Sequence, residues 1–145
     1  MTALPRVNPA QLMELLSVSL AAYYGDFTVA AASENLTASQ GKTLNVLRRG
    51  PASMSVLATT LTCDASNMTG IIDRLEKRGL VRREPSPSDR RVKNVLLTAE
   101  GEQVIDVIRG KMNNTLAGLN RLSEHEQDTL YALLERAFTA QDAAA

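Results

Sequence analysis

The sequence has few of the residues that form covalent cross-links, metal sites and catalytic pairs. One cysteine and one histidine occur among 145 residues, which excludes an intrachain disulfide and a zinc knuckle. We find no nucleophile that the single histidine could activate, no glycine-rich phosphate loop and no paired carboxylates in a plausible cleft. The sequence therefore predicts a protein that is not an enzyme and that uses no metal and no cofactor.

Two further absences concern aromatic residues and membranes. Aromatic residues make up 3% of the chain and tryptophan is missing, so any pocket should be lined mainly by aliphatic side chains. The N-terminus has no apolar signal region, and no apolar run approaches the roughly 20 residues that a membrane span needs. We therefore expect a cytoplasmic protein without a membrane partner.

Charge is balanced overall but unevenly distributed along the chain. The formal net charge is zero, whereas residues 74–93 contain eight basic and three acidic side chains, a local net charge of +5. Segregated positive charge of this kind is typical of a nucleic-acid footprint on an otherwise acidic protein. A solvated charged face is the alternative explanation of the same count.

Helical periodicity flanks this basic window on both sides. Asn8 and Pro9 form a helix start, and apolar residues at helical spacing predict one helix to residue 33. This helix has few charges, so we expect much of its surface to be buried, most simply against another subunit. Capping residues predict further helices from Thr37 to about Arg48, from Val56 to Leu61 after a Ser55 cap, from 99 to 119 and from 123 to about 140.

The helix predicted over residues 65–78, with Asp64 as its N-cap, has two different faces. Ala65, Met68, Ile71, Ile72 and Leu75 fall within one arc of about 120° and should pack inward. The opposite side contains small polar residues near the start and basic residues near the end. Small polar residues are mediocre helix formers, so their presence favours close approach to another surface. The members of this opposite side are Ser66, Asn67, Thr69, Gly70, Asp73, Arg74 and Lys77.

A two-stranded β-ribbon is predicted after this helix. Gly79 should end the helix in a left-handed conformation, and strands over 80–84 and 91–97 flank a loop with two prolines. Helix, turn, helix and ribbon is the order of a winged helix-turn-helix. We therefore predict a mainly α fold with a small β-ribbon wing (α+β) and six helices.

In this arrangement the helix from residue 65 can enter a major groove of DNA. Its outward residues near the N-terminus, which are Ala65, Ser66, Asn67, Thr69 and Gly70, would then lie nearest the base edges. Arg74 and Lys77 would contact phosphates. Arg90 and Arg91 at the ribbon tip are suited to a narrow minor groove, where the negative potential attracts arginine.

Two elements of this stretch resemble the MarR family of bacterial transcriptional regulators. One is the run Asp73-Arg74-Leu75 followed by Arg78-Gly79-Leu80-Val81, and the other is Asp89-x-Arg91 followed by Leu97-Thr98-x-x-Gly101. The resemblance implies a homodimer that binds a palindromic operator, with one domain over 1–145, a DNA-binding lobe over 37–98 (the winged lobe below) and dimerisation helices over 8–33 and 99–140. It also implies that Asp89 and Arg91 fix the wing and that Arg91 reaches the minor groove.

The sequence departs from the family at Gly70, where many members have arginine. Base reading should therefore rest on Ser66, Asn67 and Thr69. The family often binds phenolic or aromatic acids, which implies a ligand-responsive repressor with a small aromatic or phenolic effector. Tyr23, Tyr24 and Phe27 are candidates to line its pocket, although they could equally be interface core.

Two alternatives to a ligand-responsive repressor remain open from the sequence. Some relatives sense oxidants through cysteine, so Cys63 could make the protein a redox-responsive regulator, although a packing role for this residue is the simpler interpretation. A winged helix can also serve as a protein-interaction module, and salt-dependent DNA binding would separate this alternative from a regulator.

Overall fold

A computed structural model describes residues 5–139, which form seven helices and one three-stranded antiparallel sheet. The helices are α1 (Pro9–Ser33), α2 (Ala38–Leu47), α3 (Met54–Thr60), α4 (Ala65–Lys77), α5 (Ala99–Gly110), α6 (Asn113–Leu119) and α7 (Glu124–Phe138). The strands are β1 (Ala52–Ser53), β2 (Val81–Pro85) and β3 (Lys93–Leu97), in the spatial order β1-β3-β2. The predicted fold class, mainly helical with a small wing, is thus confirmed.

Two compact units divide the chain between Met112 and Asn113. The first unit contains α1 to α5 and the sheet, and the second contains α6 and α7. The hydrophobic core lies in the first unit, where one cluster joins residues of α1, α2, α3, α4, α5 and the sheet. The fully buried large side chains of this cluster include Phe27, Leu44, Leu57, Met68, Ile72, Leu75, Val81, Val95, Ile105 and Ile108.

Local capping contacts set several helix starts as predicted. The Asn8 side chain accepts a hydrogen bond from the Gln11 amide at 2.9 Å, and the Gln11 side chain accepts one from the Asn8 amide at 3.0 Å. Thr37 with Gln40 and Ser123 with Glu126 form the same reciprocal pairs at the starts of α2 and α7. These pairs satisfy amide groups that have no partner inside the helix.

The joint between α4 and α5 requires a glycine at position 101. Gly79 ends α4 with φ +74°, as predicted, and the Thr98 hydroxyl donates to the Gly79 carbonyl at 2.6 Å. The start of α5 then lies so close to β2 that a Cβ on Gly101 would be 2.1 Å from the Leu80 carbonyl oxygen. This contact gives a physical reason for the Thr98-x-x-Gly101 part of the pattern.

Two predictions about helices were wrong. Ser53, not Ser55, caps α3 by accepting a hydrogen bond from the Val56 amide at 3.2 Å. The helix consequently begins two residues earlier and turns Val56 outward, where it is 53% exposed. The predicted helix over 99–119 is interrupted after Gly110. The Lys111 amide is shared between the Val107 and Ile108 carbonyls, and the Met112 amide bonds Arg109, three residues back, which ends the helix.

The first half of α1 is apolar and exposed, so the burial expected for it does not occur among residues 5–139. Its exposed apolar side chains are Leu12, Met13, Leu15, Leu16, Val18 and Leu20. By length and composition α1 could cross a membrane, with a mean hydropathy of 1.3 over an 18-residue window. This corrects the expectation that no run approaches membrane length. Core helices and N-terminal signal sequences meet the same criterion, so it assigns no location.

Candidate nucleic-acid interface

The N-terminal turn of α4 is held by its Asp64 cap. An oxygen of the Asp64 carboxylate accepts hydrogen bonds from the Asn67 amide at 2.7 Å and from the Ser66 hydroxyl at 2.9 Å. These bonds, the one from the Asn67 amide most of all, lower the pKa of Asp64 below its ordinary value of 3.8. The cap is therefore a carboxylate at neutral pH, at the positive end of the helix.

Side chains opposite the packing side of α4 form what we call the outer face, which consists of Ala65, Ser66, Asn67, Thr69, Gly70, Arg74 and Lys77. All are exposed except Gly70, which is half-buried but has no atom within 4 Å of a Cβ added to it. On the packing side, Met68, Ile71, Ile72 and Leu75 are buried as predicted, whereas Ala65, which was also predicted to pack inward, is exposed in the first turn of the helix. The structure therefore brings the predicted base-contacting and phosphate-contacting residues of α4 together on one open side of one helix.

The polar side chains of the outer face differ in whether their hydrogen-bond donors are already used within the protein. The Ser66 hydroxyl donates to Asp64, and the Thr69 hydroxyl donates to the Ala65 carbonyl at 2.9 Å. Within the described residues, the Asn67 side-chain amide makes no hydrogen bond. Asn67 therefore keeps both a donor and an acceptor for an adenine edge.

Arg83 on β2 ties the wing to α4. Its guanidinium donates to an Asp73 oxygen at 2.6 Å and to a Glu76 oxygen at 2.7 Å, and its main-chain amide donates to the second Glu76 oxygen at 3.2 Å. The bond to Asp73, with support from Glu76, raises the pKa of Arg83. This clamp fixes the strand against the helix and neutralises the two carboxylates of α4. The sequence pattern gave no indication of it.

The wing tip is closed by main-chain contacts around Asp89. The Asp89 carboxylate accepts from the Arg91 amide at 3.1 Å, and the Asp89 carbonyl accepts from the Val92 amide at 3.0 Å. The Ser86 amide donates to the Val92 carbonyl at 2.7 Å and closes the ribbon. Asp89 is therefore a turn residue that holds the backbone of Arg91 and leaves the Arg91 side chain outside the turn.

The basic window separates into bound and unbound cations. Arg83 is bound by Asp73 and Glu76, Arg82 pairs with Glu84 at 3.0 Å, and Arg78 donates to main-chain carbonyls of another segment. Over residues 5–139, the unbound cations of the window, which form neither an ion pair nor a side-chain hydrogen bond, are Arg74, Lys77, Arg90, Arg91 and Lys93. Four of these five are the cations that the sequence pattern assigned to DNA.

A cavity of about 230 Å³ in the first unit lies between α1, α2 and the end of α3. Tyr24 and Phe27 line it, whereas Tyr23 packs beside it, stacked on Phe27 with ring centroids 6.4 Å apart. The remaining lining residues are Lys42, Asn45, Val46, Arg49, Thr60 and Leu61. The expectation of a mainly aliphatic pocket was therefore wrong, because α2 turns a polar and cationic stripe toward this cavity.

That stripe was available as a pattern in the sequence. Lys42 and Asn45 lie on α2, on the side away from the buried Leu44 and Leu47, and Arg49 continues their helical spacing into the turn after the helix. The Lys42 ammonium lies 4.2 Å from the centre of the Tyr24 ring, a cation–π distance.

Cys63 is half-buried in the turn before α4 and packs against the hydrophobic core. Its amide donates to the Ala58 carbonyl at 3.0 Å and so joins this turn to α3. Among residues 5–139, no three His, Cys, Asp or Glu side chains form a group that could hold a metal ion.

Comparison with known proteins relates this geometry to one family. A sequence model described as the MarR family matches residues 36–93, from just before α2 to the start of β3. The HTH-type transcriptional regulator PecS of Dickeya dadantii is 38% identical over 106 residues, which are 70% of this chain and 64% of PecS. This chain spans 58% to 64% of the length of PecS and of three further curated regulators that it matches at 34% to 38% identity.

Solved structures extend the similarity to nearly the whole chain. The transcriptional regulator PA4135 is 29% identical with a TM-score of 0.66, over 91% of this chain and 96% of that one. A cysteine-to-serine mutant of MarR from E. coli, solved in complex with operator DNA, is 25% identical with a TM-score of 0.61, over 88% of this chain and 94% of that one. The matched segment, these relatives and the shared fold all relate this chain to the MarR family, which it resembles in sequence and in fold.

Proposed function

We propose that this protein is a sequence-specific DNA-binding transcriptional regulator that binds a palindromic operator as a homodimer. The observation that carries the proposal is the open outer face of α4 beside a wing whose tip arginines are unpaired. In the major groove, Asn67 is suited to a bidentate contact with adenine, and the Ser66 and Thr69 oxygens can accept hydrogen bonds from base amino groups. Arg74 and Lys77 supply phosphate contacts, and Arg90 and Arg91 reach the adjacent minor groove.

The binding unit we propose contains two copies of the chain. The exposed apolar side chains in the first half of α1 form a surface that a soluble monomer rarely leaves in contact with water. In the second unit, α7 likewise exposes apolar residues, which are Leu130, Tyr131, Leu133, Leu134 and Phe138. A second copy would cover these helices and set two α4 helices about 34 Å apart, one turn of DNA.

Binding to DNA from the region upstream of its own gene tests this function. Fluorescence anisotropy at several salt concentrations should give an affinity that falls steeply with salt, because phosphate contacts release counterions. Asn67→Ala should relax base preference more than it weakens binding to unrelated DNA. Binding that is absent at low salt would contradict the proposal and favour a protein-interaction module.

We further propose repression that is relieved by a small aromatic effector in the cavity between α1, α2 and α3. Lys42 and Arg49 line this cavity without an acidic residue among its other lining residues, and Tyr24 and Phe27 offer aromatic surface. This combination favours an aromatic carboxylate over a neutral phenol of the same size. An effector that binds better to a dimer with a different spacing of the two α4 helices would lower operator affinity by linkage.

Benzoate and phenol are matched probes for the effector. Benzoate should raise the thermal midpoint of unfolding more than phenol at equal concentration, and Lys42→Gln should remove that difference. Equal shifts with both compounds, or an unchanged benzoate shift in Lys42→Gln, would contradict the assignment of the cavity.

A further inference from the structure

The short segment that joins α1 to α2 receives the ends of two other helices. Arg78, the C-cap of α4, donates from Nη1 to the Asn35 carbonyl at 3.0 Å and from Nη2 to the Glu34 carbonyl at 3.1 Å. Lys111, the C-cap of α5, donates to a Glu34 carboxylate oxygen at 2.6 Å and to the Ser33 hydroxyl at 3.1 Å. We call this cluster, residues 33–36 with Arg78 and Lys111, the helix-end junction.

The backbone of the junction is already specified by its own contacts. Asn35 has φ +57°, the left-handed conformation that commonly ends a helix, and the buried Leu36 donates its amide to the Ala31 carbonyl at 3.0 Å. The Glu34 and Asn35 carbonyls therefore point away from α1, and Arg78 bonds both of them. A guanidinium can reach two carbonyls in a fixed fork, whereas a lysine ammonium is a single point of charge.

From this geometry we propose that Arg78 is a positioning residue, which holds the C-terminal end of α4 against the end of α1 and does not contact DNA. The inference rests on the proposed function, and it removes Arg78 from the basic residues that are expected to contact DNA. By sequence position Arg78 belongs with Arg74 and Lys77, but its donors are directed to the protein's own backbone. Its contribution to DNA binding is therefore the orientation of α4, and a phosphate contact is not part of it.

Salt dependence separates these two roles. Arg78→Gln and Arg78→Lys should each weaken DNA binding about tenfold, because neither side chain reproduces the two-carbonyl fork. The slope of log affinity against log salt should stay at the wild-type value in both variants. In the control Arg74→Gln, the slope should fall by about 0.9 for each phosphate that the protein no longer neutralises.

Amide hydrogen exchange without DNA provides a readout that does not depend on the proposed function. Exchange at Asn35, Leu36 and Leu80 should accelerate in both Arg78 variants and remain unchanged in Arg74→Gln. Lys111→Gln loosens the same junction from α5 and should accelerate Asn35 and Leu36 as well, which keeps the test open if an Arg78 variant folds poorly.

Three results would overturn the positioning role. They are wild-type DNA affinity in Arg78→Lys, a salt slope in Arg78→Gln that falls as in Arg74→Gln, and unchanged exchange at the junction in both Arg78 variants. If the wild-type protein bound no DNA, the proposed function would fail, while the exchange measurement would still decide whether Arg78 holds the junction.

Discussion

The hydrophobic core of the first unit and the first half of α1 contain the same kinds of apolar side chain in different surroundings. Leu44 and Ile72 in the lobe are fully buried, whereas Leu15 and Leu20 on α1 are 63% and 54% exposed. The core cluster joins five helices and the sheet within the first unit, so its stability is available to a single chain. In the proposed dimer the first half of α1 gains such burial from the second copy, which makes the two regions separable by mutation.

The largest effect should come from a charge on the exposed half of α1. Leu16→Asp places a carboxylate in the proposed interface on each copy. Each copy also loses one buried leucine, and the two together amount to about 3–6 kcal/mol of dimerisation free energy. Analytical ultracentrifugation should show monomers at micromolar concentration. Val56→Asp, at an apolar position of α3 that is exposed to a similar degree, is the control and should remain dimeric. If Leu16→Asp remained dimeric, the apolar half of α1 would not be the dimer interface, and a different partner would have to cover it.

The second prediction tests the other side of the comparison, the hydrophobic core of the first unit, to which α5 belongs. Gly101→Ala would bring a methyl group to 2.1 Å from the Leu80 carbonyl oxygen, so α5 or β2 must shift, at a cost of about 3 kcal/mol in the free energy of unfolding. Gly110→Ala, in the same helix with no atom within 4 Å of the added Cβ, should change stability by less than about 1 kcal/mol. Urea denaturation measures both, and equal stability of the two variants would remove the close-contact explanation.

Gly101 also illustrates what could be predicted from the sequence. The pattern that contains it was visible, and so were the caps of α1, α2, α4 and α7, because a cap depends on residues three positions apart. The start of α3 was missed because two serines, Ser53 and Ser55, compete as caps within one turn. The choice between them depends on β1 pairing with β3, which is a long-range contact.

The candidate site likewise has one part that local sequence predicts and another that depends on long-range contacts. The outer face of α4 followed from helical periodicity, since 3.6 residues per turn places Ile71 and Thr69 on nearly opposite sides of the helix without any tertiary information. The Arg83 clamp joins residues seven and ten positions apart on a helix and a strand, and Arg78 bonds a carbonyl 43 positions away. Sequence periodicity does not specify such long-range pairs. The charge count over residues 74–93 therefore could not distinguish arginines that bind other parts of the protein from arginines that remain unbound.

The third prediction asks whether the unbound cations of the lobe bind DNA. Arg91→Ala should weaken operator binding by about 1–3 kcal/mol, which is about 5-fold to 150-fold. Its backbone amide still bonds Asp89, so the wing turn should persist and the thermal midpoint should stay within a degree or two of wild type. Arg109→Ala, an exposed arginine of α5 outside the basic window, serves as the control and should retain wild-type affinity. Full affinity in Arg91→Ala would exclude the wing tip from the interface.

The smallest effect concerns the Asp64 cap, and its signature is a dependence on pH. Asp64→Asn keeps an oxygen that accepts the Asn67 amide hydrogen bond and removes the charge at the start of α4. Because folding lowers the pKa of Asp64, the carboxylate stabilises the folded chain above the unfolded pKa, and this contribution is lost as the pH falls through the folded value. Wild type should therefore unfold a few degrees above Asp64→Asn at pH 7, and the difference should shrink below about pH 4.

Thermal unfolding followed by circular dichroism at a series of pH values measures this difference. Asp128→Asn, which removes an exposed carboxylate of α7, corrects for the general effect of losing one negative charge. If wild type and Asp64→Asn unfolded at the same temperature from pH 7 to about pH 3, the stability of the first turn would come from the hydrogen bond that both side chains accept, and not from the charge. A gap that closes toward acid would show that the charge itself holds Ser66 and Asn67 in the geometry that the proposed base contacts require.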